Sequence, residues 1–511
     1  MRRGGSARIL RRLALAASAF LIAGVPSAFA GAVLTLGSPV TVSGPTPFTP
    51  GCNGAPQTGT NFPNAEVEPW VDINPVNASN IVAVWQQDRW SNGGSNGLLA
   101  GVSFDGGATW TRTAAPFARC EGGTAANGGN FERASDPWVS FGPSGSVYQA
   151  SLSFNNSNFT SAVLVSKSTD GGLHWGNPKT VILDTAPTVF NDKESITADP
   201  GNANLVYVVW DRLVVPTARA RGVSFEHAIG FRGPAWFSRS TDGGDTWAAP
   251  RIIFDPGEIN QTIGNQILVL PNGTLIDGFN LIFNVRGLRQ RGFNVALIRS
   301  TDKGVTWSRP IIVSKLLSRP VTDPNTGQAV RTGDILPAFA VDRSSGTLYA
   351  VWMDTRFSGG VKDDIAFSMS TDGGLTWTAP VKINKTPGNA PAFTASVKAG
   401  PDGRIAVTYY DFRSLAAGNT TTLPTDYWMV NCLVNCTAPA SWTEQHLAGP
   451  FDMMLAPNAG GFFVGDYEGL GAAASAVLTL TDVFQPVFAA AVSPADPTDV
   501  FTLAATTPEV R

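Results

Sequence analysis

The chain has 511 residues, with 36 basic and 39 acidic side chains, 54 glycines, 36 prolines and four cysteines. Its first thirty residues carry five arginines and no acid, so the remainder holds 31 basic against 39 acidic residues, a net charge of about −8. An acidic surface argues against nucleic acid or an anionic membrane as partner, since both select basic patches, and the glycine and proline content excludes a mainly helical protein.

Residues 1–30 read as a secretory signal peptide. Arg2, Arg3, Arg8, Arg11 and Arg12 precede an apolar run from Leu13 to Val25, and Ala28-Phe29-Ala30 forms a small-x-small cleavage site. Cleavage near Ala30 and a secreted, monomeric product are expected. No later apolar run reaches the roughly 18 residues of a membrane span. In an exported chain the four cysteines imply two disulfides, and proximity favours Cys52–Cys120 and Cys432–Cys436. There is no Cys-x-x-Cys and the three histidines are far apart, so neither a metal nor a cofactor is expected.

Segment 31–65 is rich in Pro, Gly and Thr, and its AVLTLGSPVTV (32–42) offers a strand to a sheet formed elsewhere. From residue 66 a repeat begins. PWVDINPVNASNIVAVW (69–85), PWVSFGPSGSVYQA (137–150) and ESITADPGNANLVYVVW (194–210) share one layout with NQILVLPNGTLIDGF (265–279), PAFAVDRSSGTLYAVW (337–352) and ASVKAGPDGRIAVTYY (395–410). Each is an apolar strand, a tight turn containing Pro, Asn or Gly, and a second β-branched or aromatic strand. A weaker seventh copy begins at GDYEGL (465–470).

A second motif runs out of phase with the first. SFDGGATW (103–110), STDGGLHW (168–175), STDGGDTW (240–247), STDKGVTW (300–307) and STDGGLTW (370–377) follow the pattern Ser-x-Asp-x-Gly-x-x-Trp. The Asp carboxylate suits the backbone N–H groups of a tight turn, Gly supplies positive φ, and Trp covers the hairpin. Combined, the two motifs describe a four-stranded unit whose Asp box joins strands three and four. The expected fold is all-β: a β-propeller of seven four-stranded blades over 66–511, with a six-bladed ring as the alternative. In the sixth unit NCLVNC (431–436) stands where an Asp box would fall.

In such a ring the start of strand one and the end of strand two meet at the central mouth, away from the Asp boxes. Glu66, Glu68, Asp136, Asp192, Glu194, Asp334, Asp466 and Glu468 occupy strand-one starts. Asp88-Arg89, Asp211-Arg212, Asp354-x-Arg356 and Asp411-x-Arg413 occupy strand-two ends, and Arg133 precedes Asp136. The candidate catalytic residues are Tyr467, Glu468, Asp466, Glu194 and Asp136. The candidate substrate-binding residues are Arg133, Arg212, Arg356 and Arg413, since guanidinium forks fit carboxylates. The competing reading is that the Asp-x-Arg pairs bond internally and orient their loops.

The Asp boxes, with WDR (210–212) and WMDTR (352–356) ahead of DIAFSMSTDGGLTW (364–377), resemble the bacterial BNR-repeat, sialidase-like family over about 66–480. The resemblance implies hydrolysis of a terminal acidic sugar, with arginines on its carboxylate, Tyr467 and Glu194 as a nucleophile pair, and an aspartate as acid/base. The chain departs from the family in lacking an Arg-Ile-Pro signature, with FERASDPW (131–138) near the comparable place, and in counting seven repeats where sialidases have six blades. Two alternatives stay open: a non-catalytic propeller binding carbohydrate or protein, and a uronate polysaccharide lyase with Tyr467 or His227 as base.

Overall fold

The computed structural model describes Met1 and residues 33–220, 229–284, 292–474 and 482–508. The signal segment and His227 lie outside the described residues. The described residues are all-β, and none of their helices is long and apolar enough to cross a membrane.

The repeat becomes antiparallel sheets of four strands in up-and-down order. Glu66–Ile73, Ile81–Arg89, Ser95–Ser103 and Thr111–Thr113 form the first, and Arg133–Phe141, Val147–Phe154, Ser161–Ser168 and Lys179–Asp184 the second. The two are joined by a single pairing of Ser95 with Ala134. Further sheets begin at Val189–Ala198, Gln261–Val269, Ala338–Val341 and Ala392–Ala399. The last starts with Gly469–Ala474, continues through Asp482–Ser493 and Asp496–Thr502, and takes its outer strand, Val40–Thr41, from the N-terminal segment.

The first strand of each sheet packs on the first strand of the next, and Gly469–Ala474 packs back on Glu66–Ile73, so the sheets form a closed circuit. This is the arrangement of a β-propeller. Second strands such as Ile81–Arg89 are buried along their whole length because each sheet lies between two others. Val82, Val84, Ala100 and Val102 of the first sheet interlock with Val139, Phe141 and Val147 of the second. Closing the circuit protects the sheet edge that an open stack would expose.

The Asp boxes fill the turns between strands three and four. Asp105 Oδ1 accepts the Thr109 N–H at 2.9 Å, its Oδ2 accepts the Thr109 hydroxyl at 2.6 Å, and Trp110 Nε1 donates to the Gly107 carbonyl at 3.0 Å. Those bonds hold the Asp105 carboxyl down at about 2. Gly106 and Gly107 have φ of 75° and 92°, values that favour glycine. In the sixth sheet the Cys432–Cys436 disulfide takes over this turn, and Cys52–Cys120 ties the N-terminal segment to the connection between the first and second sheets.

Candidate functional site

The inner strands carry a recurrent irregularity. Pairing with strand two slips between Val67 and Trp70, Ser135 and Trp138, Asp192 and Ser195, Ile263 and Gln266, and Phe393 and Ser396. At each slip one residue adopts positive φ: Glu68 (53°), Asp136 (51°), Lys193 (49°), Gly264 (71°) and Thr394 (51°). A bulge of this kind turns a side chain out of the ladder. Three of the five carry charge, and all three meet.

Lys193 Nζ lies 2.8 Å from Asp136 Oδ1, 2.9 Å from Asp466 Oδ2 and 3.2 Å from Glu68 Oε1, with all four side chains buried. Arg331 completes the cluster, its Nε and Nη2 donating to Asp466 at 3.0 and 2.5 Å. It arrives on Ala329–Arg331, which runs parallel to Phe462–Phe463 outside the repeat. Its guanidinium and that of Arg89 lie 4.5 and 5.0 Å from the Phe463 ring.

These charges set each other's protonation. Burial pushes the Glu68 carboxyl up to about 7; Lys193 opposes the rise, while Asp136 and Asp466 add to it. Burial would raise Asp466 too, but Arg331 and Lys193 together hold it well below the usual carboxylate range. Burial and the facing Arg331 lower Arg89 to about 10. Glu68 is thus the carboxyl of this cluster suited to exchanging a proton near neutrality.

Two cavities adjoin the cluster. The channel cavity, between the Trp70–Trp138 stack, Tyr467 and Glu194, measures about 40 Å³, room for little more than one water molecule. The cleft beside it measures about 420 Å³ and suits a small molecule. Glu68, Asp136, Asp192, Lys193, Arg89 and Arg331 form its floor. Its rim has phenylalanine faces (Phe154, Phe159, Phe190) and amides (Asn92, Asn155, Asn156, Asn158). No Asp-box residue lines either cavity.

Of the sequence-predicted residues, Asp136 and Asp466 are in the cluster. Glu194 lines the channel with neither carboxylate oxygen hydrogen-bonded, and burial holds its carboxyl well above the usual range. Glu468 points toward the last sheet, where its Oε2 accepts the Ala489 N–H at 3.2 Å. The Tyr467 hydroxyl donates to the Pro137 carbonyl at 3.4 Å rather than to a glutamate. Burial raises this phenol well above its usual value, and Glu68, Asp136, Glu194 and Asp466 raise it further, which disfavours a phenolate nucleophile or base.

The four predicted arginines do not converge, and none lines either cavity. Arg133 is fully buried behind the cleft wall, bonding Gln57, Asn92 and the Gly93 and Thr58 carbonyls. Arg212 forks onto Asp184 at 2.8 and 2.6 Å. Arg356 is paired with Asp354, and Arg413 with Asp411 and Glu444. The expected carboxylate clamp is therefore corrected: each guanidinium already has an internal partner. Among the described residues the cations that do face the cleft are Lys193, Arg331 and Arg89, and Arg89 is in no ion pair with a carboxylate there. Sequence reasoning passed over Lys193 and Arg331 and left Glu68 and Arg89 unassigned. A signal existed for Glu68, Asp136 and Lys193, each seven residues before the turn proline of its repeat, Pro75, Pro143 or Pro200.

No protein-family model and no curated protein matches the sequence. Among solved structures the chain is similar to a Hadza microbial sialidase (16% identity over 83% of this chain and 73% of that one, TM-score 0.46). It is also similar to a Penicillium chrysogenum α-L-arabinanase complexed with arabinobiose (12% identity, 92% and 98%, TM-score 0.46). A Dyadobacter fermentans protein of unknown function is a third (15% identity, 74% and 95%, TM-score 0.43).

Proposed function

We propose that this protein is an exported, glycan-active β-propeller of seven blades that hydrolyses a glycan bearing an acidic sugar in the 420 Å³ cleft. The observation that carries the reading is Glu68: a buried carboxyl titrating near 7, on the cleft floor, beside a second carboxylate that shares its ammonium. Carboxylates bound to one ammonium lie within about 6 Å of each other, near the roughly 5–5.5 Å of a retaining glycosidase pair. Glu68 serves as acid/base and Asp136 as its carboxylate partner. Arg89, lacking a carboxylate of its own and facing the like-charged Arg331, receives the acidic group of the sugar. Phenylalanine faces and amides on the rim suit the two sides of a sugar ring.

The test is incubation of purified protein with sialosides, uronate oligosaccharides and neutral arabino-oligosaccharides, with products read by mass spectrometry. Release of a sugar that Glu68→Gln abolishes without loss of binding is the expected result. Turnover unchanged in Glu68→Gln overturns the assignment, and an absence of both turnover and binding overturns the function.

One observation favours a second reading, a non-catalytic glycan-binding propeller. Glu68, Asp136 and Asp466 already share Lys193, which occupies carboxylate lone pairs that a reacting substrate needs. Saturable binding without product, unaffected by Glu68→Gln, would select it. A lyase using Tyr467 as base is disfavoured by the protonated phenol.

A further inference from the structure

Away from the cleft, where the two ends of the circuit meet, three carboxylates from different parts of the chain come together. Glu66 belongs to the first strand of the first sheet; Asp496 and Asp499 belong to a strand of the last. One oxygen from each lies within 4.8 Å of the others. Oxygens about 2.4 Å from a common ion can be up to about 4.8 Å apart, so the spacing matches one shared cation.

Independent features point to a missing positive partner. Glu66 is fully buried and its carboxylate reaches into this group, yet only Oε1 has a donor, from Gln87; Oε2 has none. Thr498, between the two aspartates, is paired with Ala65 and also keeps a buried hydroxyl without a partner. A buried acceptor without a donor is costly unless something satisfies it. The charges that act most strongly on Glu66 are acidic: Asp499, Asp496 and Asp88. No lysine, arginine or histidine forms an ion pair with Glu66, Asp496 or Asp499 among the described residues, unlike the acids around Lys193. Asp88 is not part of the site, since Asn64, Thr46 and Asn96 occupy both its oxygens.

We propose that Glu66, Asp496 and Asp499 bind a calcium ion that staples the closing seam of the propeller. The donors are all hard oxygens, which excludes thiophilic metals. Calcium accepts irregular carboxylate sets completed by water, whereas magnesium demands a tight octahedron. Ser43, just beyond the closing strand Val40–Thr41, donates to Asp499 Oδ1 at 2.6 Å, so the ion would tie three segments: the N-terminal strand, the first sheet and the last.

The test uses the whole mature protein, stripped with chelator and then compared in EDTA, 1 mM CaCl₂ and 1 mM MgCl₂. Equilibrium dialysis with radioactive calcium should give one bound ion per chain. Calcium should raise the thermal midpoint by about 2–4 °C, with a smaller magnesium effect. In Asp496→Asn/Asp499→Asn the calcium response should vanish, while the midpoint in EDTA should equal or exceed that of the stripped wild type because repulsion is relieved. If that variant does not fold, Asp496→Asn alone and the dialysis stoichiometry decide. No bound calcium and no calcium-dependent shift in the wild type overturns the proposal, as does a response that persists in the variant. A larger response to magnesium than to calcium overturns the choice of ion.

Discussion

Lys193 Nζ stands 3.2 Å from Glu68 Oε1, and this contact restrains the rise that burial imposes on the Glu68 carboxyl. Lys193→Met removes the one ammonium shared by Glu68, Asp136 and Asp466. Breaking a buried ion pair from one side costs about 3–5 kcal/mol. Urea denaturation at pH 8 should show a loss of that size, smaller at pH 5, where Glu68 is protonated in either protein. In any glycan turnover the limb assigned to Glu68 should shift to higher pH. An equal loss at both pH values would show that Lys193 acts through packing alone.

Stability should fall as pH rises from 5 to 8. Burial is the main cause raising Glu68 and Asp211 to about 7, Asp334 to about 6 and Asp363 to about 8. Between their ordinary values near 4 and these raised ones, the folded chain holds protons that the unfolded chain releases, so rising pH favours unfolding. The lowered Asp-box carboxyls act oppositely, but only as pH falls through their unfolded values toward about 2. A urea midpoint that is flat or increases from pH 5 to pH 8 would contradict this assignment of charges.

Arg133 and Arg89 should separate structure from binding. Arg133→Ala leaves buried amides and carbonyls without donors, each costing about 1–3 kcal/mol, and is expected to lower stability by about 3 kcal/mol or more. Arg89→Gln should instead weaken binding of an acidic glycan about tenfold or more while neutral glycans bind as before. Titration calorimetry on both variants checks this, and unchanged acidic-glycan affinity in Arg89→Gln would remove Arg89 from the binding site.

Tyr467→Phe should fold normally and keep at least a third of any turnover, because among the described residues the hydroxyl makes only the 3.4 Å bond to Pro137. Tyr467→Ala removes the ring packed 5.6 Å from Trp138 and 6.0 Å from Trp70, at a cost of about 2–4 kcal/mol. A thousandfold loss in the Phe variant would restore the phenol as a reacting group.

The two disulfides should differ in worth. Cys52–Cys120 closes 68 residues and Cys432–Cys436 only four, so the first constrains the unfolded chain more, by roughly 2 kcal/mol on the loop-entropy scale. Cys52→Ser/Cys120→Ser should unfold at lower urea than Cys432→Ser/Cys436→Ser, and the reverse order would refute the argument.

The scaffold was legible because its signals are local and repeated. Each Asp box satisfies its own turn, so its residues must recur wherever the turn does. The cleft was harder to read. The bulge recurs at one position of the repeat, but the residue type there differs from sheet to sheet, so position alone did not announce the chemistry of Lys193, and Arg331 arrives on an insertion whose parallel partner, Phe462–Phe463, is far along the chain. The position of the strand ends would have helped with the arginines. Asp354 and Asp411 end their strands, so the chain turns there and brings the arginine two residues on back to the carboxylate, whereas adjacent residues within a strand point to opposite faces. Asp354-x-Arg356 and Asp411-x-Arg413 pair within themselves, while Asp211-Arg212 does not: Arg212 turns to Asp184.

The slipped registers of the inner strands have an evolutionary corollary. A residue that has left the ladder has no cross-strand neighbour to satisfy, so it can be exchanged without disturbing the sheet behind it. This ring already accommodates glutamate, aspartate, lysine, glycine and threonine there. The four that are not glycine each carry on the order of 1 kcal/mol of left-handed strain. Replacement by glycine would relax that strain and erase a functional group in one step. The axis of the molecule is thus a row of sockets borne on separate sheets, and those whose side chains touch, Glu68, Asp136 and Lys193, would have to change together.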